Sequence, residues 1–213
     1  MEKVLVTGAS GYIAEHCIVE LLKNGYAVKG SLRNMERENE VRDAIKKETQ
    51  DDNLEFCQLD LLSDDGWDDA MWDCDYLMHV ASPFTIDAPK DENELIKPAK
   101  EGTLRALNAA KKAGIKKVVL TSSTAAINSH MKDGTADHNT WTDIDSEYVT
   151  AYQKSKTIAE KAAWEFINNQ DENNKLEMAV INPGGVMGPQ LGNDLDGAST
   201  QIISQVISGK FPM

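Results

Sequence analysis

Short apolar runs alternate along the chain with longer segments whose apolar residues recur at helical spacing. This alternation is typical of a parallel β-sheet covered by helices on both faces. The runs predict six strands, at Val4–Thr7, Tyr26–Leu32, Leu54–Leu59, Tyr76–Val80, Lys117–Ser122 and Leu176–Asn182. The fold class that follows is α/β, with a doubly wound parallel sheet.

The segments between the predicted strands carry the helices. They are predicted at Tyr12–Lys23, Glu36–Thr49, Trp67–Trp72, Leu95–Lys112, Glu147–Asn168 and Ser199–Ser208. Gly25 and Gly114 follow two of these helices, where a left-handed C-terminal residue is favoured, and each leads directly into a strand. The polar segment 128–146 has no clear period, so we interpret it as a surface excursion, a kind of loop that often borders an active site.

The composition is that of a globular protein, with 213 residues of which 41% are hydrophobic and 27% charged. The net charge is −13 and the acidic residues are spread along the chain, so we expect no nucleic-acid partner. The three cysteines form no CxxC pair, which favours a reducing cytoplasm. Without a signal-peptide pattern or an apolar run of about 18 residues, we expect neither export nor a membrane span.

Glycines follow the first predicted strand in TGASGYIA, a GxxGxxA pattern. Gly8 permits a tight turn, Gly11 lets a pyrophosphate approach backbone amides at a helix start, and small Ala14 lets that helix lie close to the sheet. The flanking strand and helix, with a second strand about 20 residues on, are the context in which such a loop binds dinucleotides. The cofactor contacts predicted here are Gly8, Ser10, Gly11, Tyr12 and Ile13.

The second predicted strand ends without the Asp or Glu that would bind a free adenosine ribose, and Arg33 stands there instead. A guanidinium suits the 2′-phosphate of NADP because the two groups make paired, charge-assisted hydrogen bonds. Glu36, Glu38 and Glu40 weaken the positive field nearby. The sequence therefore favours NADP (NADPH) and leaves NAD possible.

Candidate cofactor contacts also follow the third and fourth predicted strands. Asp60 in QLDLL can accept a hydrogen bond from the adenine amine, and the backbone of Leu61 supplies another contact. The segment HVASP lies at the carboxyl edge of the sheet, where open α/β folds bind ligands. The residues predicted to contact the cofactor there are Val80, Ala81, Ser82 and Pro83.

The fifth predicted strand is followed by TSSTAA, and YQKSK stands on the next long helix. Tyr152 and Lys156 are one helical turn apart and share a face. A phenol titrates at about pH 10, so it needs a nearby cation to exchange a proton near neutrality, and Lys156 can be that cation. A YxxxK pair alone is common on solvated helices. Its place after a glycine loop and the strand-end Ser123 predicts a catalytic site.

Taken together, TGASGYIA, LDL, HVASP, TSS, YQKSK and INPGGVMGP resemble the extended short-chain dehydrogenase/reductase family, in this order and over essentially the whole chain. HVASP, TSSTAA, YQKSKTIAEKAAW and INPGGVMGP are most similar to its branch of dihydroflavonol 4-reductases, cinnamoyl-CoA reductases and aldehyde reductases. The resemblance implies a Rossmann fold and an NADPH-dependent oxidoreductase that transfers hydride to the ketone or aldehyde carbonyl of a small molecule.

The resemblance also implies roles for the matched residues. Ser123 would hydrogen-bond the substrate carbonyl and Tyr152 would deliver the proton. Lys156 would lower the pKa of Tyr152 and hold the nicotinamide ribose. The residues implied to line the nicotinamide are Pro183, Gly184 and Val186.

The sequence departs from the family's pattern in three places. Ala14 replaces the third glycine of the loop and still packs. The family's second cation for the cofactor phosphate falls near Glu40, so Arg37 or no residue takes that role. PAKEGT, in the helix before the fifth strand, lacks the asparagine that often precedes GT, which leaves a proton-relay asparagine unassigned.

The resemblance implies a division of the chain into an NAD(P)-binding domain with the catalytic residues, 1–190, and the start of a C-terminal substrate lobe, 191–213. Because relatives of this type continue further, we expect a chain of this length to bind cofactor and to turn substrate over poorly. The helices beginning at Leu95 and Glu147 resemble those of a dimer interface in this family, so a homodimer is possible.

Other functions remain as alternatives. A nucleotide-sugar epimerase shares the same three residues. A dehydratase also needs a base after the strand end, and it is disfavoured because Thr124, Ala125 and Ala126 offer none. A non-catalytic NAD(P)-sensing regulator could keep the fold, although such proteins tend to lose the Tyr and Lys. A metal site is disfavoured, since the four candidate ligands lie in a polar loop without regular spacing. These are His130, Asp133, Asp137 and His138.

Overall fold

The computed structural model describes residues 1–83, 89–128, 134–192 and 204–209. These residues form six strands, β1 (Lys3–Val6), β2 (Ala27–Leu32), β3 (Leu54–Gln58), β4 (Tyr76–His79), β5 (Lys117–Thr121) and β6 (Glu177–Ile181). Every pairing is parallel, in the order β3-β2-β1-β4-β5-β6. The predicted doubly wound parallel sheet is confirmed, with each strand within one residue of its predicted bounds.

The described helices are α1 (Tyr12–Lys23), α2 (Glu38–Lys46), α3 (Trp67–Met71), α4 (Asn93–Ala113) and α5 (Ala151–Asn168). Short 3₁₀ turns occupy Met35–Arg37, Thr124–Ala126 and Glu172–Asn174. The predicted glycine endings of α1 and α4 are confirmed, because Gly25 and Gly114 both have positive φ, at 81° and 73°. Among the described helices, none is long and apolar enough to cross a membrane.

Two helices begin later than the sequence predicts. The predicted helix Glu36–Thr49 starts with a 3₁₀ turn capped by the Asn34 side chain, so the α-helix itself begins at Glu38. The predicted start at Glu147 is wrong because Thr150 is the N-cap of α5. Its hydroxyl accepts from the Gln153 backbone N–H while the Gln153 side chain accepts from the Thr150 N–H, a capping box that fixes the first turn.

The sheet separates two apolar layers, since successive strand residues point to opposite faces. In β1, Val4 and Val6 pack with α1 and α2, while Leu5 packs with α3, α4 and α5. The strand order reverses beside β1, whose neighbours are β2 and β4. The carboxyl ends of these central strands therefore lie at the crevice where open α/β sheets bind ligands.

Two predicted segments lie partly outside the described residues. Of the excursion 128–146, residues 129–133 are not described, and the remainder contains neither helix nor strand. The Thr142 N–H donates to the Ala126 carbonyl and its hydroxyl to that of Ala125, so this segment borders the turn after β5. Of the predicted helix Ser199–Ser208, residues 204–207 are helical and residues 199–203 are not described.

Candidate active site

The glycine loop between β1 and α1 has the close backbone approach that its sequence predicts. Gly8 has a φ of 71°, and a Cβ added there would lie 3.1 Å from both Cα and Cβ of Ala81. Gly11 donates its N–H to the Gly8 carbonyl at 2.9 Å and is the N-cap of α1. No described side chain caps the start of this helix. The amides of this helix start, at Tyr12 and Ile13, are therefore available to an anion.

A buried hydroxyl joins the glycine loop to the end of β4. The Thr7 Oγ1 accepts hydrogen bonds from the N–H groups of Val80 and Ala81, both at 3.0 Å, and lies 2.9 Å from Nδ1 of His79. With both of its acceptor positions used, the hydroxyl donates its proton to Nδ1. Burial, with a smaller contribution from the Lys156 cation, lowers the pKa of His79 to about 4, so the imidazole is neutral.

Two arginines follow β2, and the structure separates their roles. Arg33 is exposed, and its guanidinium forms no ion pair with any described residue. Arg37 donates through Nε and Nη2 to both carboxylate oxygens of Glu40 and through Nη1 to Ser10 Oγ of the glycine loop. Arg37, considered as the second phosphate cation, thus reaches the loop but already has a carboxylate partner.

The other predicted adenine contacts are built into local structure. Asp60 Oδ1 accepts the N–H of Leu62 at 2.8 Å, which fixes the turn after β3. Leu61 packs against α4, where a Cβ at Gly102 would come within 2.8 Å of its side chain. After β4, Ala81, Ser82 and Pro83 are half-buried at the carboxyl edge of the sheet. The role of these residues as cofactor contacts stays a prediction.

Ser123, Tyr152 and Lys156, the predicted catalytic residues, lie together after β5 and on the first turns of α5. The Tyr152 hydroxyl is hydrogen bonded to the Ser123 side chain. Lys156 Nζ lies 5.9 Å from the centroid of the Tyr152 ring. The Ser123 Oγ also accepts the Ala125 N–H at 3.1 Å, which fixes its rotamer.

The family resemblance implies that Lys156 lowers the pKa of Tyr152. In the structure the pKa of Tyr152 is instead raised. Burial raises the pKa of Tyr152 above its ordinary value, and the hydrogen bond to Ser123 only partly opposes that effect. Burial lowers the pKa of Lys156 to about 8, against the opposite effect of the Glu160 carboxylate. Desolvation of both side chains is the reason for both shifts, since it penalises the charged form of each.

The segment after β6 closes one side of the site. The Pro183 carbonyl accepts the Thr124 N–H at 2.9 Å, and Gly184 lies 3.9 Å from the Thr124 side chain, so both positions adjoin the turn that carries Ser123. Val186 lines an apolar groove of about 600 Å³. The groove also contacts Tyr12 and Ile13 at the start of α1.

Comparison with known proteins gives the family. Residues 4–210 match the NAD dependent epimerase/dehydratase family. The chain belongs to this family. The resemblance to the extended short-chain dehydrogenases/reductases, predicted from the motifs, is thereby confirmed.

Family members similar to the chain include plant and yeast reductases. A cinnamoyl-CoA reductase of Medicago truncatula is 38% identical over 210 residues, covering 95% of this chain and 63% of that protein. Tetraketide alpha-pyrone reductase 1 of Arabidopsis thaliana is 32% identical over 209 residues, covering 94% and 62%. The structure of yeast methylglyoxal/isovaleraldehyde reductase Gre2 complexed with NADPH has a TM-score of 0.78 at 34% identity, covering 88% of this chain and 59% of that one. The chain thus spans less than two thirds of the length of these family members.

The sequence analysis did not predict four polar residues that support the site in this protein. Thr7 and His79 join the first and fourth strands, while Glu160 and Asn182 lie behind Lys156 and Ser123. Thr7 could have been found as the hydroxyl residue that directly precedes the glycine loop. The sequence gives no comparable signal for the others, because each depends on a partner distant in the chain. Of the disfavoured metal ligands, His130 and Asp133 lie outside the described residues, and the described residues contain no metal-binding cluster.

Proposed function

We propose that the protein is an NADPH-dependent reductase that transfers hydride to the carbonyl carbon of a ketone or aldehyde. The observation that carries this proposal is the Ser123–Tyr152 hydrogen bond with the Lys156 ammonium beside the ring. Two hydroxyls held together at the carboxyl edge of the sheet can both bond one carbonyl oxygen, and one of them can protonate it. The reductases among the relatives support the same reaction.

The residues present fit NADPH. The uncapped start of α1 and the missing Cβ of Gly8 leave room for a pyrophosphate against backbone amides. The guanidinium of Arg33, which is exposed and pairs with no described carboxylate, suits the 2′-phosphate. Asp60 and Leu61 would contact the adenine, and Lys156 would hold the nicotinamide ribose. When bound, NADPH supplies the hydride. The yeast relative solved with NADPH supports this choice over NAD.

The chain's own residues then polarise and protonate the substrate. Ser123 and Tyr152 donate hydrogen bonds to the carbonyl oxygen, which stabilises the negative charge that develops as hydride reaches the carbon. Tyr152 gives its proton to that oxygen, and the adjacent Lys156 ammonium stabilises the phenolate that remains. Pro183, Gly184 and Val186 would line the nicotinamide. We further propose the division into a cofactor domain, 1–190, and the start of a substrate lobe, 191–213.

NADPH oxidation by the purified protein against a panel of aldehydes, ketones and nucleotide sugars tests this function. We expect oxidation with carbonyl compounds, slow in a chain of this length, and none with nucleotide sugars. Conversion of a nucleotide sugar into its epimer without net NADPH oxidation would instead support the epimerase alternative, which the reductase relatives favour less.

A homodimer through α4 and α5 and a cytoplasmic location also stay proposals. Sedimentation would test the homodimer, and cell fractionation would test the location.

A further inference from the structure

A second buried charge lies behind the Tyr152–Lys156 pair, one helical turn further along α5. Glu160 is 5% exposed. Its Oε2 accepts a hydrogen bond from Asn182 Nδ2 at 2.7 Å, and its Oε1 accepts one from Trp164 Nε1 at 3.4 Å. A carboxylate buried this deeply is costly unless hydrogen bonds and an opposite charge compensate for lost water. The neutral donors supply the bonds, so the compensating charge must come from elsewhere.

The amide of Asn182 links Glu160 to the serine of the site. Its Nδ2 donates one hydrogen to Glu160 and the other to the Ser123 carbonyl at 3.1 Å. On either side, the N–H groups of Ser122 and Thr124 donate to carbonyls of the β6 segment at 2.8 and 2.9 Å. The Ser123 backbone is therefore held on both sides and from α5.

Lys156 lines a small cavity together with polar groups from several elements. They are His79 from β4, Ser82 from the segment after β4, Thr103 from α4, Thr121 and Ser122 from the end of β5, and Glu160 from α5, with the Tyr152 ring beside Lys156. His79 is neutral, because its pKa is about 4, and Tyr152 is a neutral phenol. Glu160 is thus the single anion acting on the Lys156 ammonium among these residues, although no ion-pair contact joins the two described side chains.

We propose that Glu160 and Asn182 are positioning residues for the reduction. Glu160 keeps buried Lys156 in its ammonium form, and Asn182 sets the position of Ser123 relative to α5. The inference rests on the proposed function, since it assigns both residues a role through Lys156 and Ser123. It predicts a different effect at each position. Loss of the Glu160 charge should change the pH dependence, and loss of the Asn182 amide should lower the turnover rate.

The charge is isolated by Glu160→Gln, which keeps an oxygen for Asn182 and removes the anion. NMR titration of Lys156 Nζ in lysine-labelled protein reads its pKa without any substrate. We expect a value lower than wild type by at least about half a unit, since loss of an opposite charge disfavours the ammonium. Glu165→Gln, an exposed position on the same helix, is the matched control and should leave the titration unchanged.

The same variants separate the two roles in kinetics. Lys156 must be charged to act, so activity falls as pH rises through its pKa, and Glu160→Gln should move this alkaline limb to lower pH. Asn182→Ser should lower kcat by about tenfold or more while leaving the limb in place, because misplacing a reacting group slows chemistry without changing the charge. Thermal unfolding of each variant verifies that it is folded.

An unchanged Lys156 titration in folded Glu160→Gln would overturn the role of Glu160. Should that variant not fold, Glu160→Asp replaces it, and the titration must then stay near the wild-type value. A kcat in Asn182→Ser equal to wild type would overturn the role of Asn182. A shifted titration in a protein that reduces no carbonyl would instead sustain the electrostatic role and reject the proposed function.

Discussion

Lys156 Nζ lies 5.9 Å from the centroid of the Tyr152 ring, one helical turn along α5. The ammonium therefore lies beside the ring, while the phenol hydroxyl bonds Ser123. Burial brings the pKa of Lys156 to about 8, so the cation is present at neutral pH and is lost in mildly alkaline solution. This arrangement couples proton delivery to the charge of one buried amine.

Substitution of the pair should separate chemistry from cofactor binding. Tyr152→Phe should lower kcat by about 10²–10⁴-fold with NADPH affinity kept, because it removes only the proton donor. Lys156→Met should lower kcat and also weaken NADPH binding about tenfold or more, through loss of a charged hydrogen bond to the ribose. Steady-state kinetics and fluorescence titration measure both quantities.

The control for Lys156→Met is Lys161→Met, on the same helix but exposed and stacked on Trp141. It should change neither quantity. If Tyr152→Phe kept most of its turnover on an established substrate, Tyr152 would not be the proton donor.

Arg33 should determine the preference for NADPH over NADH. A charge-assisted hydrogen bond is worth about 1.5–3 kcal/mol, so Arg33→Ala should weaken NADPH binding about tenfold or more and leave NADH binding nearly unchanged. Arg33→Lys keeps the charge without the planar fork, so its NADPH affinity should lie between those of the wild type and Arg33→Ala. Equal affinity of the wild type for both cofactors would show that the nearby glutamates outweigh the guanidinium.

The contrast between Arg33 and Arg37 shows what the sequence could not establish. Both follow β2, and the charge pattern alone cannot say which guanidinium is free. The answer depends on the side-chain geometry of Glu40, which binds Arg37 through both oxygens. The strands and the start of α1, in contrast, follow from local apolar pattern and turn chemistry, so the sequence predicted them within one residue.

Gly8→Ala should cost more stability than the same change at Gly25. Both glycines have positive φ, at 71° and 81°, so each alanine carries backbone strain of about 1–3 kcal/mol. Only at Gly8 does the new Cβ meet Ala81, at 3.1 Å, whereas Gly25 faces open space. Chemical denaturation should therefore show the larger loss for Gly8→Ala, together with weakened NADPH binding that Gly25→Ala lacks. Equal losses would exclude a close approach at Gly8.

His79 should make the fold less stable in acid. Its pKa is lowered to about 4 in the folded protein, so between pH 6.5 and about 4 the unfolded chain binds a proton that the folded chain does not. This contribution to stability is full above pH 6.5 and is lost as pH falls, by ~3 kcal/mol at most. The slope of unfolding free energy against pH should be reduced in His79→Gln and unchanged in His138→Gln, an exposed control. Identical slopes in all three proteins would contradict a buried neutral His79.

The polar residues that support the catalytic residues could not be predicted from the sequence, because each contacts a partner distant in the chain. Glu160 meets Asn182 across 22 positions, and Thr7 meets His79 across 72. Such pairs are set by strand order and helix packing, and no local spacing marks them. Ser123, Tyr152 and Lys156 were found because their motif and its position after β5 are local features.

The most direct test of carbonyl reduction by this protein follows the hydride itself. NADPH deuterated at the transferred position of the nicotinamide is incubated with the protein and a carbonyl substrate from the panel, and the alcohol is analysed by mass spectrometry. We expect the wild type to place one deuterium at the former carbonyl carbon, and Tyr152→Phe to do so more slowly. A protein that binds NADPH and transfers no deuterium to any carbonyl compound, in a panel that related reductases turn over, would contradict the proposed function.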